Sequence, residues 1–474
     1  MKFLKTLVCF CVLFLLLTSA ATLSFADANP HARGVILFIG DGMGLNVVRA
    51  AEIYSHAVNK EHLIFDTLPI RGVTLTRSAN SEVTDSAAAI TALMSGKKTN
   101  NGRLNILPDN TVAYTIPKAA REKGLSIGVV STTRLTHATP AGVYGHAASR
   151  NDEQLIADQF LDLAPEAGLA GGLQYFTAPT QSKKSKRTDQ TNLVAQAKQK
   201  GYTFVSHASE LQALDLENVQ KVLGLFSNSH MCYEIDRLNE PACKTQPSLA
   251  EMTRVALAVV SKNPKGFFVM VEGGRIDHAC HAHDIAAAIH DVIAFDKAVR
   301  TALDFQKSHP DVLIIVTADH ETGGLGLGRG VEYALDITSL RPIKSSIELL
   351  NKKHAQNPDA LDALLKAKGF ELDEREKQLL INQKEAKDML GANPLLLHGT
   401  LDRYVGSWFA YALSEIISAR SKVGWTSFVH TADPVITYAI GPGERDFLGT
   451  YDNTDIARKI FKALDLNEQS GSRN

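Results

Sequence analysis

The sequence predicts an α/β fold in which a large, mostly parallel central sheet lies between two layers of helices. Several apolar runs of strand length end in glycine or polar residues. Helix-compatible segments separate these runs, which is typical of parallel sheets covered on both faces. Polar side chains suited to catalysis or metal binding follow the runs, as expected at the carboxyl ends of parallel strands. Together these observations predict a three-layer α/β sandwich.

The N-terminal residues have the pattern of an export signal. Two lysines precede the apolar run 7–17, which is too short to span a bilayer. Residues 24–26 place small side chains three and one positions before a cleavage point. The pattern predicts a signal peptide over 1–26 and a mature chain that begins at Asp27, with an uncleaved anchor as the alternative. We expect a periplasmic or secreted protein without a membrane span.

The predicted buried strands are the apolar runs 34–39, 125–130, 266–271 and 312–316. Residues 284–305 are rich in alanine with helical apolar periodicity, which predicts a helix between the last two strands. A shorter helix is predicted over 87–94, and Ser95 with Gly96 would end it. Ser86 then stands at a helix N-terminus, where free N–H groups favour an anion. An ordinary N-cap serine is the alternative.

Residues from about 327 to 422 differ in character from the rest. They are helix-prone, with a charge run at 371–377 and an apolar, aromatic stretch at 404–417. We interpret them as a helix-rich insertion in a single catalytic domain that spans 27–474. The charged helix predicts a solvated face. The apolar stretch is core, a cap over the site or a subunit contact.

Charge and cysteine content restrict the class of protein. Loss of the two signal lysines moves the formal net charge from −1 to about −3, without the basic excess of a dedicated nucleic-acid binder. In an oxidising compartment Cys232 and Cys243 are expected to form a disulfide. Cys280 is left over, either as a small buried apolar residue or as a thiol that modulates an adjacent metal site.

Carboxylate and imidazole side chains recur at the ends of predicted elements. They are Asp41, Glu272, Asp277, His281, Asp319, His320 and His430. Each alone is explained as a turn, cap or surface residue, but together they form the mixed ligand set that suits Zn²⁺. Asp277 and His281 are four residues apart and share one helical face. Asp319 and His320 are adjacent at a strand end, where both can bind a second ion.

This set of ligands predicts a metal-activated serine. Two zinc ions about 4 Å apart would clamp the attacking and leaving oxygens of an in-line displacement. One ion would lower the pKa of Ser86, so that no histidine base is needed. Arg150 can offer a bidentate fork to a phosphoryl group, although alone it would be an ordinary surface arginine. The natural substrate of such a site is a phosphate ester.

The chain resembles the alkaline phosphatase family. The resemblance rests on the ordered segments 39–44, 85–88, 136–142, 272–277, 317–324 and 430–455. Any one of them is weak, but their order and joint occurrence are specific. Residues of about 163–249 and the insertion resemble the family only loosely. The resemblance implies an exported homodimeric phosphomonoesterase with a broad substrate range and an alkaline optimum.

The resemblance also implies a role for each site residue. Ser86 would be the nucleophile that becomes phosphorylated, and Arg150 would bind phosphate. The first zinc site would consist of Asp277, His281 and His430. The second would consist of Asp319, His320 and Asp41, joined by Ser86. Asp41 would also bridge to a magnesium site completed by Thr139 and Glu272.

The sequence leaves two questions open: the metal of the third site and the alternatives to a phosphomonoesterase. His137 and His278 match the branch of the family with histidine at both positions, so the metal preference of the third site is open. A phosphodiesterase or sulfatase could use the same metal scaffold, but Ser86 with Arg150 favours monoesters. A non-catalytic phosphate- or zinc-binding protein is a further alternative, and it predicts binding without turnover.

Overall fold

The computed structural model describes residues 31–382 and 401–468. The predicted signal peptide and part of the predicted insertion, residues 383–400, lie outside the described residues. Within the described ranges, no helix is long and apolar enough to cross a membrane.

A ten-stranded sheet and two small ladders contain all the described strands. These are β1 (Gly34–Gly40), β2 (Ile70–Leu75), β3 (Ser126–Arg134), β4 (Ala167–Gly171), β5 (Thr203–Val205), β6 (Val222–Leu225), β7 (Phe267–Gly273), β8 (Val312–Ala318), β9 (Glu321–Thr322), β10 (Gly326–Leu327), β11 (Val423–Gly424), β12 (His430–Thr431), β13 (Val435–Ile440) and β14 (Gly449–Asp452). The large sheet has the order β14-β2-β13-β8-β1-β7-β3-β4-β6-β5, and the ladders are β10–β11 and β9–β12.

The sheet is parallel except at one strand. Only β13 runs antiparallel to its neighbours, β2 and β8, among the strand pairs of this sheet. The four strands predicted from apolar runs are adjacent at its centre, in the order β8-β1-β7-β3. The prediction of a large, mostly parallel sheet is confirmed.

Helices pack around the sheet. The described α-helices are α1 (Leu45–Tyr54), α2 (Ser86–Ser95), α3 (Ile116–Lys123), α4 (Ala138–Ala141), α5 (Glu153–Leu163), α6 (Leu193–Gln199), α7 (Ala208–Gln212), α8 (Glu234–Asn239), α9 (Leu249–Val260), α10 (Arg275–His281), α11 (Ile285–Gln306), α12 (Ile347–His354), α13 (Pro358–Ala367), α14 (Glu374–Ile381), α15 (Trp408–Ser421) and α16 (Asn453–Ala463). The predicted helix at 284–305 is α11, with Asp284 as its N-cap.

Side chains of alternate residues along β1 enter two separate cores. Ile36 and Phe38 belong to the core that includes residues of α1, α9 and α11. Val35, Leu37 and Ile39 belong to the core that includes residues of α2, α3 and α16. This alternation follows from the two-residue period of a strand. Each such side chain contributes about 1.5–3 kcal/mol on burial, so both helical layers are held firmly against the sheet.

The two ends of the segment 326–424 lie side by side. Strand β10 pairs with β11 in antiparallel register, and α12 to α15 lie between them. Helix α14 carries part of the charge run and has only Leu380 buried. Helix α15 buries ten of its residues, Phe409 and Tyr411 among them, so this apolar stretch packs as core.

The cysteines have two different environments. Cys232 and Cys243 form a disulfide, which confirms the expected pair. Cys280 on α10 is free and buried. Burial, with Glu321 and Asp277 nearby, raises the pKa of the Cys280 thiol well above its usual value, so it stays protonated.

Candidate active site

Three adjacent strands bring buried candidate ligands to one edge of the sheet. Asp41 follows β1, Glu272 lies near the end of β7, and Asp319 with His320 follows β8. All four side chains are fully buried. Because these strands are parallel neighbours, their carboxyl ends meet at the same edge. The sequence prediction placed these residues at strand ends, and the topology brings them together.

A second set of ligands comes from α10 and the β9–β12 ladder. Asp277 and His281 lie on α10, and His430 on β12 pairs with Thr322 on β9. His281 Nε2 lies 3.3 Å from Asp277 Oδ2 and 3.2 Å from His430 Nε2. His430 Nε2 lies 3.7 Å from the other oxygen of Asp277. The three side chains therefore converge on a common point.

Backbone carbonyls fix the orientation of both imidazoles. His430 Nδ1 donates to the carbonyl oxygen of Thr84 at 2.8 Å, and His281 Nδ1 donates to that of Phe428. Since a carbonyl only accepts, Nδ1 carries a proton in both rings, which leaves Nε2 as the atom that can bind a metal when the ring is neutral. Burial lowers the pKa of His430 to about 3, which keeps its ring neutral. Neutral imidazoles with free Nε2 atoms are the form that binds zinc.

Ser86 lies at the start of α2 and faces His320. Ser86 Oγ is 3.2 Å from His320 Nε2, and the residue is almost fully buried. His320 Nε2 is also 3.2 Å from Asp319 Oδ2 and 3.5 Å from Asp41 Oδ1. Asp85 is the N-cap of α2, because its side chain accepts from the N–H of Ala88. The cap is therefore Asp85, and the Ser86 hydroxyl points to the ligands instead.

Buried polar atoms around Ser86 lack hydrogen-bond partners among the described residues. They are Asp41 Oδ1 and Oδ2, His137 Nδ1, Thr139 Oγ1, Glu272 Oε1 and Asp319 Oδ2. A buried polar atom without a partner costs about 1–3 kcal/mol, and more when charged. A cluster of six such atoms of ligand type is the pattern expected of a site that binds cations.

Among the His, Cys, Asp and Glu residues that the structure describes, three groups have ligand atoms within 4.8 Å of one another: Asp277, His320 and His430; Asp41, Asp319 and His320; and Asp41, His137 and Glu272. The first group contains His320 where the predicted first zinc site has His281, although His281 Nε2 is adjacent. The third contains His137 where the predicted magnesium site has Thr139. Oxygen and nitrogen donors in these groups fit zinc at the first two positions.

Burial and mutual repulsion act together on the acids. Burial raises the pKa of Asp41 well above its ordinary value, and Asp319 and Asp277 add to the rise. Burial also raises the pKa of Glu272 to about 7. The hydrogen bond from Ser131 opposes this rise, and the negative charge of Asp319 adds to it. Burial alone would raise the pKa of Asp277, but the nearby histidines hold it well below its usual range. Cations among these carboxylates would remove the repulsion.

Arg150 lies beside the serine. Its Nη1 is 3.0 Å from Asp85 Oδ2, and its Nη2 is 3.2 Å from His137 Nε2. Ser86 and Arg150 line the same cavity of about 700 Å³. A guanidinium at this position can bind a phosphoryl group with two parallel hydrogen bonds.

The walls of the cavity include residues that the sequence patterns did not predict. They are Arg134, Glu153, His230, Tyr233, Arg275, Glu348, Arg403 and Tyr404. The ring of His230 lies nearly perpendicular to those of His278 and His137, with centroids 4.4 and 5.4 Å away respectively. His230 follows β6, so the strand-end rule could have found it. Arg403 and Tyr404 lie in the insertion, where no strand end marks them.

Comparison with known proteins distinguishes between the enzyme classes that could use such a metal scaffold. The family model described as alkaline phosphatase matches residues 32–466. This chain belongs to the alkaline phosphatase family. Alkaline phosphatase 3 of Bacillus subtilis is 33% identical over 455 residues, which cover 93% of this chain and 90% of the relative.

Solved alkaline phosphatases have the same fold. The Thermus thermophilus alkaline phosphatase superposes with a TM-score of 0.80 at 32% identity, covering 92% of each chain. The cold-active alkaline phosphatase of Shewanella sp. gives a TM-score of 0.77 at 32% identity, covering 91% of this chain and 99% of the other. As a member of this metal-dependent family, the chain is a phosphoric monoester hydrolase.

Proposed function

We propose that this chain is an exported alkaline phosphatase that hydrolyses a broad range of phosphate monoesters through a phosphoseryl intermediate on Ser86, with two Zn²⁺ and one Mg²⁺. The observation that carries the proposal is the position of Ser86 Oγ, 3.2 Å from His320 Nε2. Around it lie buried carboxylate oxygens without partners among the described residues. A serine in such surroundings is suited to nucleophilic attack.

The ligand sets are proposed from the described side chains. Asp277, His281 and His430 would hold the first zinc ion. Asp41, Asp319, His320 and Ser86 would hold the second. Asp41, Thr139 and Glu272 would hold magnesium, with His137 beside them. When bound, these ions supply Lewis acidity that lowers the pKa of the serine and stabilises the leaving oxygen.

The protein side chains position the phosphoryl group for two successive displacements. Arg150 would bind two phosphoryl oxygens, held in place by Asp85 at 3.0 Å. The free N–H groups at the start of α2 would favour the same negative charge. Ser86 Oγ attacks phosphorus and the alcohol departs on the side of His281 and His430. Water then attacks the phosphoserine from that side, which releases phosphate and restores the hydroxyl of Ser86.

Replacement of Ser86 tests the covalent step. Ser86→Ala should lose at least about a thousandfold in kcat, because it removes the nucleophile. Its zinc content should stay near that of the unaltered protein, since the other ligands remain. Acid quenching with ³²P-labelled substrate should label the unaltered protein and not the variant. Ser95→Ala, at the opposite end of α2, is the matched control and should keep both rate and label.

Near-normal turnover or labelling by Ser86→Ala would refute the phosphoseryl mechanism while leaving the family assignment intact. Metal content is tested separately. Treatment with a chelator should abolish activity, and zinc followed by magnesium should restore it. Full activity in a preparation free of both metals would contradict the metal assignment.

Export, domain organisation and assembly belong to the same proposal. We infer cleavage after residue 26, a single catalytic domain over 27–474 with a helix-rich insertion at about 327–422, and a homodimer. The apolar run 7–17 and the family resemblance support these inferences. N-terminal sequencing of the protein recovered outside the cytoplasm should begin at Asp27. Sedimentation of that material should give twice the mass of one chain.

A further inference from the structure

The active-site cavity extends well beyond the groups needed to hold phosphate. Its volume of about 700 Å³ exceeds what a phosphoryl group fills. A short helical turn at Leu401–Val405 contributes Arg403 and Tyr404 to its wall. No part of the proposed chemistry at Ser86 uses these two side chains.

Tyr404 packs directly on a ligand of the leaving side. Its ring lies parallel to that of His281, with centroids 4.6 Å apart and an interplanar angle of 17°. His281 points its Nε2 toward Asp277 and His430, on the side where the alcohol would depart. A leaving group that departs past these residues must therefore come close to Tyr404.

Arg403 differs from the other arginines of the cavity in its charge environment. Arg134, Arg150 and Arg275 each pair with a carboxylate, at 2.7, 3.0 and 2.8 Å respectively. Their partners are Glu153, Asp85 and Glu348. Arg403 is exposed and has no carboxylate within 4.0 Å in the described ranges. Its guanidinium instead lies over the ring of Tyr404, 5.1 Å from the centroid.

We propose that Arg403, supported by Tyr404, binds a second anionic group on the leaving alcohol. The preferred substrates are then phosphate monoesters whose alcohol carries a carboxylate or a second phosphate. The proposal rests on the proposed phosphomonoesterase reaction and names a substrate class for that site. Because Arg403 is exposed, solvent and salt screen its charge, so its effect on rate is a few-fold and weakens with ionic strength.

A matched pair of substrates isolates this contact. Glycerol 3-phosphate and 3-phosphoglycerate carry the phosphate on the same carbon, but the second has a carboxylate in place of a CH₂OH group. The quantity to measure is the ratio of kcat/KM for 3-phosphoglycerate to that for glycerol 3-phosphate. Arg403→Gln should lower this ratio about threefold at low salt. Arg403→Lys should retain most of it, since the charge remains.

The matched control is Arg329→Gln, which alters an arginine of the same insertion that pairs with Glu415 at 2.8 Å outside the cavity. This control should leave the ratio unchanged. An unchanged ratio in Arg403→Gln would overturn the inference, even if the enzyme hydrolyses both esters. Failure of the unaltered enzyme to hydrolyse either ester would instead overturn the proposed function.

An equilibrium measurement gives an independent readout. Propylphosphonate and 3-phosphonopropionate are phosphonates of equal length that differ in a terminal carboxylate, and we expect both to compete with substrate. In the unaltered enzyme the carboxylate should lower Ki about threefold relative to propylphosphonate, and Arg403→Gln should remove that advantage. Equal inhibition of the unaltered enzyme by both compounds would show that no second anionic subsite exists.

Discussion

A single carboxylate links the proposed nucleophile to the proposed phosphate-binding residue. Asp85 Oδ1 accepts from the N–H of Ala88 and caps α2, while Oδ2 accepts from Gly102 N and Arg150 Nη1, both at 3.0 Å. Burial alone would raise the pKa of Asp85, but Arg150 and the two N–H groups hold it below its ordinary value. Asp85 therefore stays ionised and fixes Arg150 relative to the start of the helix.

Substitution of Arg150 tests this geometry. Arg150→Lys should raise KM about tenfold or more, because bonds to charged groups contribute about 1.5–3 kcal/mol and lysine cannot form the planar fork. Steady-state kinetics with an aryl phosphate measures the effect. Arg121 pairs with Glu166 away from the site, so Arg121→Lys should leave KM unchanged. A normal KM in Arg150→Lys would show that a point charge is enough.

Asp296 on α11 should make stability fall as pH rises. It is almost fully buried, it accepts from the N–H of Ile64, and burial raises its pKa from 3.8 to about 7. The folded protein therefore holds a proton that the unfolded chain releases above pH 3.8, so stability is lost between pH 3.8 and 7. At about 1.4 kcal/mol per pH unit, the loss attains at most about 4 kcal/mol.

Denaturant unfolding at pH 5 and pH 8 measures this effect. Asp296→Asn keeps an oxygen acceptor and cannot ionise, so its stability relative to the unaltered protein should increase toward pH 8. Asp304→Asn, at an exposed position of the same helix, should follow the unaltered protein. Parallel curves for all three proteins would show that Asp296 ionises normally.

Individual candidate ligands were predictable where a strand end marked them. Asp41, Asp319 and His320 follow apolar runs, and the fold brings them together as expected. Arg403 could not be found in this way, because its place in the cavity depends on the packing of a helical insertion. An exposed arginine has no signal in sequence that distinguishes it from a surface residue.

At the scale of elements, a stack of rings joins α10 to the segment that carries His430. His283 lies between Trp425 and Phe428, with centroids 4.8 and 3.9 Å away, and its Nε2 donates to Ser427 O at 2.8 Å. Its φ of +52° is in the left-handed region, which residues other than glycine adopt uncommonly, although histidine does so more often than most. The stack holds the end of α10, which carries His281, against the segment that carries His430.

Loss of the stack should weaken metal binding at the first site. His283→Ala should lower zinc affinity about tenfold, as for other residues that orient metal ligands. Zinc content after dialysis against a graded series of chelator concentrations measures the change. His309→Ala, which removes a ring stacked on Phe305 in a remote turn, is the control. Zinc retention equal to that of the control would show that His283 only fills space.

Long apolar elements were predicted more accurately than short ladders. Strands β1, β7 and β8 are fully buried, and their apolar runs agree with the structure to within two residues. The ladder of β9 with β12 contains two residues per strand and pairs His430 with Thr322. A ladder so short has no periodicity, so no pattern predicted the pairing of His430 with Thr322. His430 was expected at the site as one of the recurring imidazoles, and in the first zinc site from the family resemblance.

At the scale of the whole molecule, the disulfide closes a short loop beside the site. Cys232 and Cys243 are 11 residues apart, and a loop of this length contributes about 3 kcal/mol on chain-entropy grounds. A reductant should therefore lower the free energy of unfolding by about that amount. Without reductant, the double variant Cys232→Ser with Cys243→Ser should already be less stable than the unaltered protein. Reductant should not change the stability of this variant further. Insensitivity of the unaltered protein to reductant would contradict the expected contribution.

The β10–β11 ladder holds the two ends of the predicted insertion, about residues 327–422, side by side. Its two attachment points are hydrogen-bonded neighbours, Gly326 with Gly424 and Leu327 with Val423. A segment of different length can join the same two ends, but it would have to replace the contact of Tyr404 with His281. Relatives with a different segment at this place could thus prefer different alcohols, while the residues that bind phosphate stay the same.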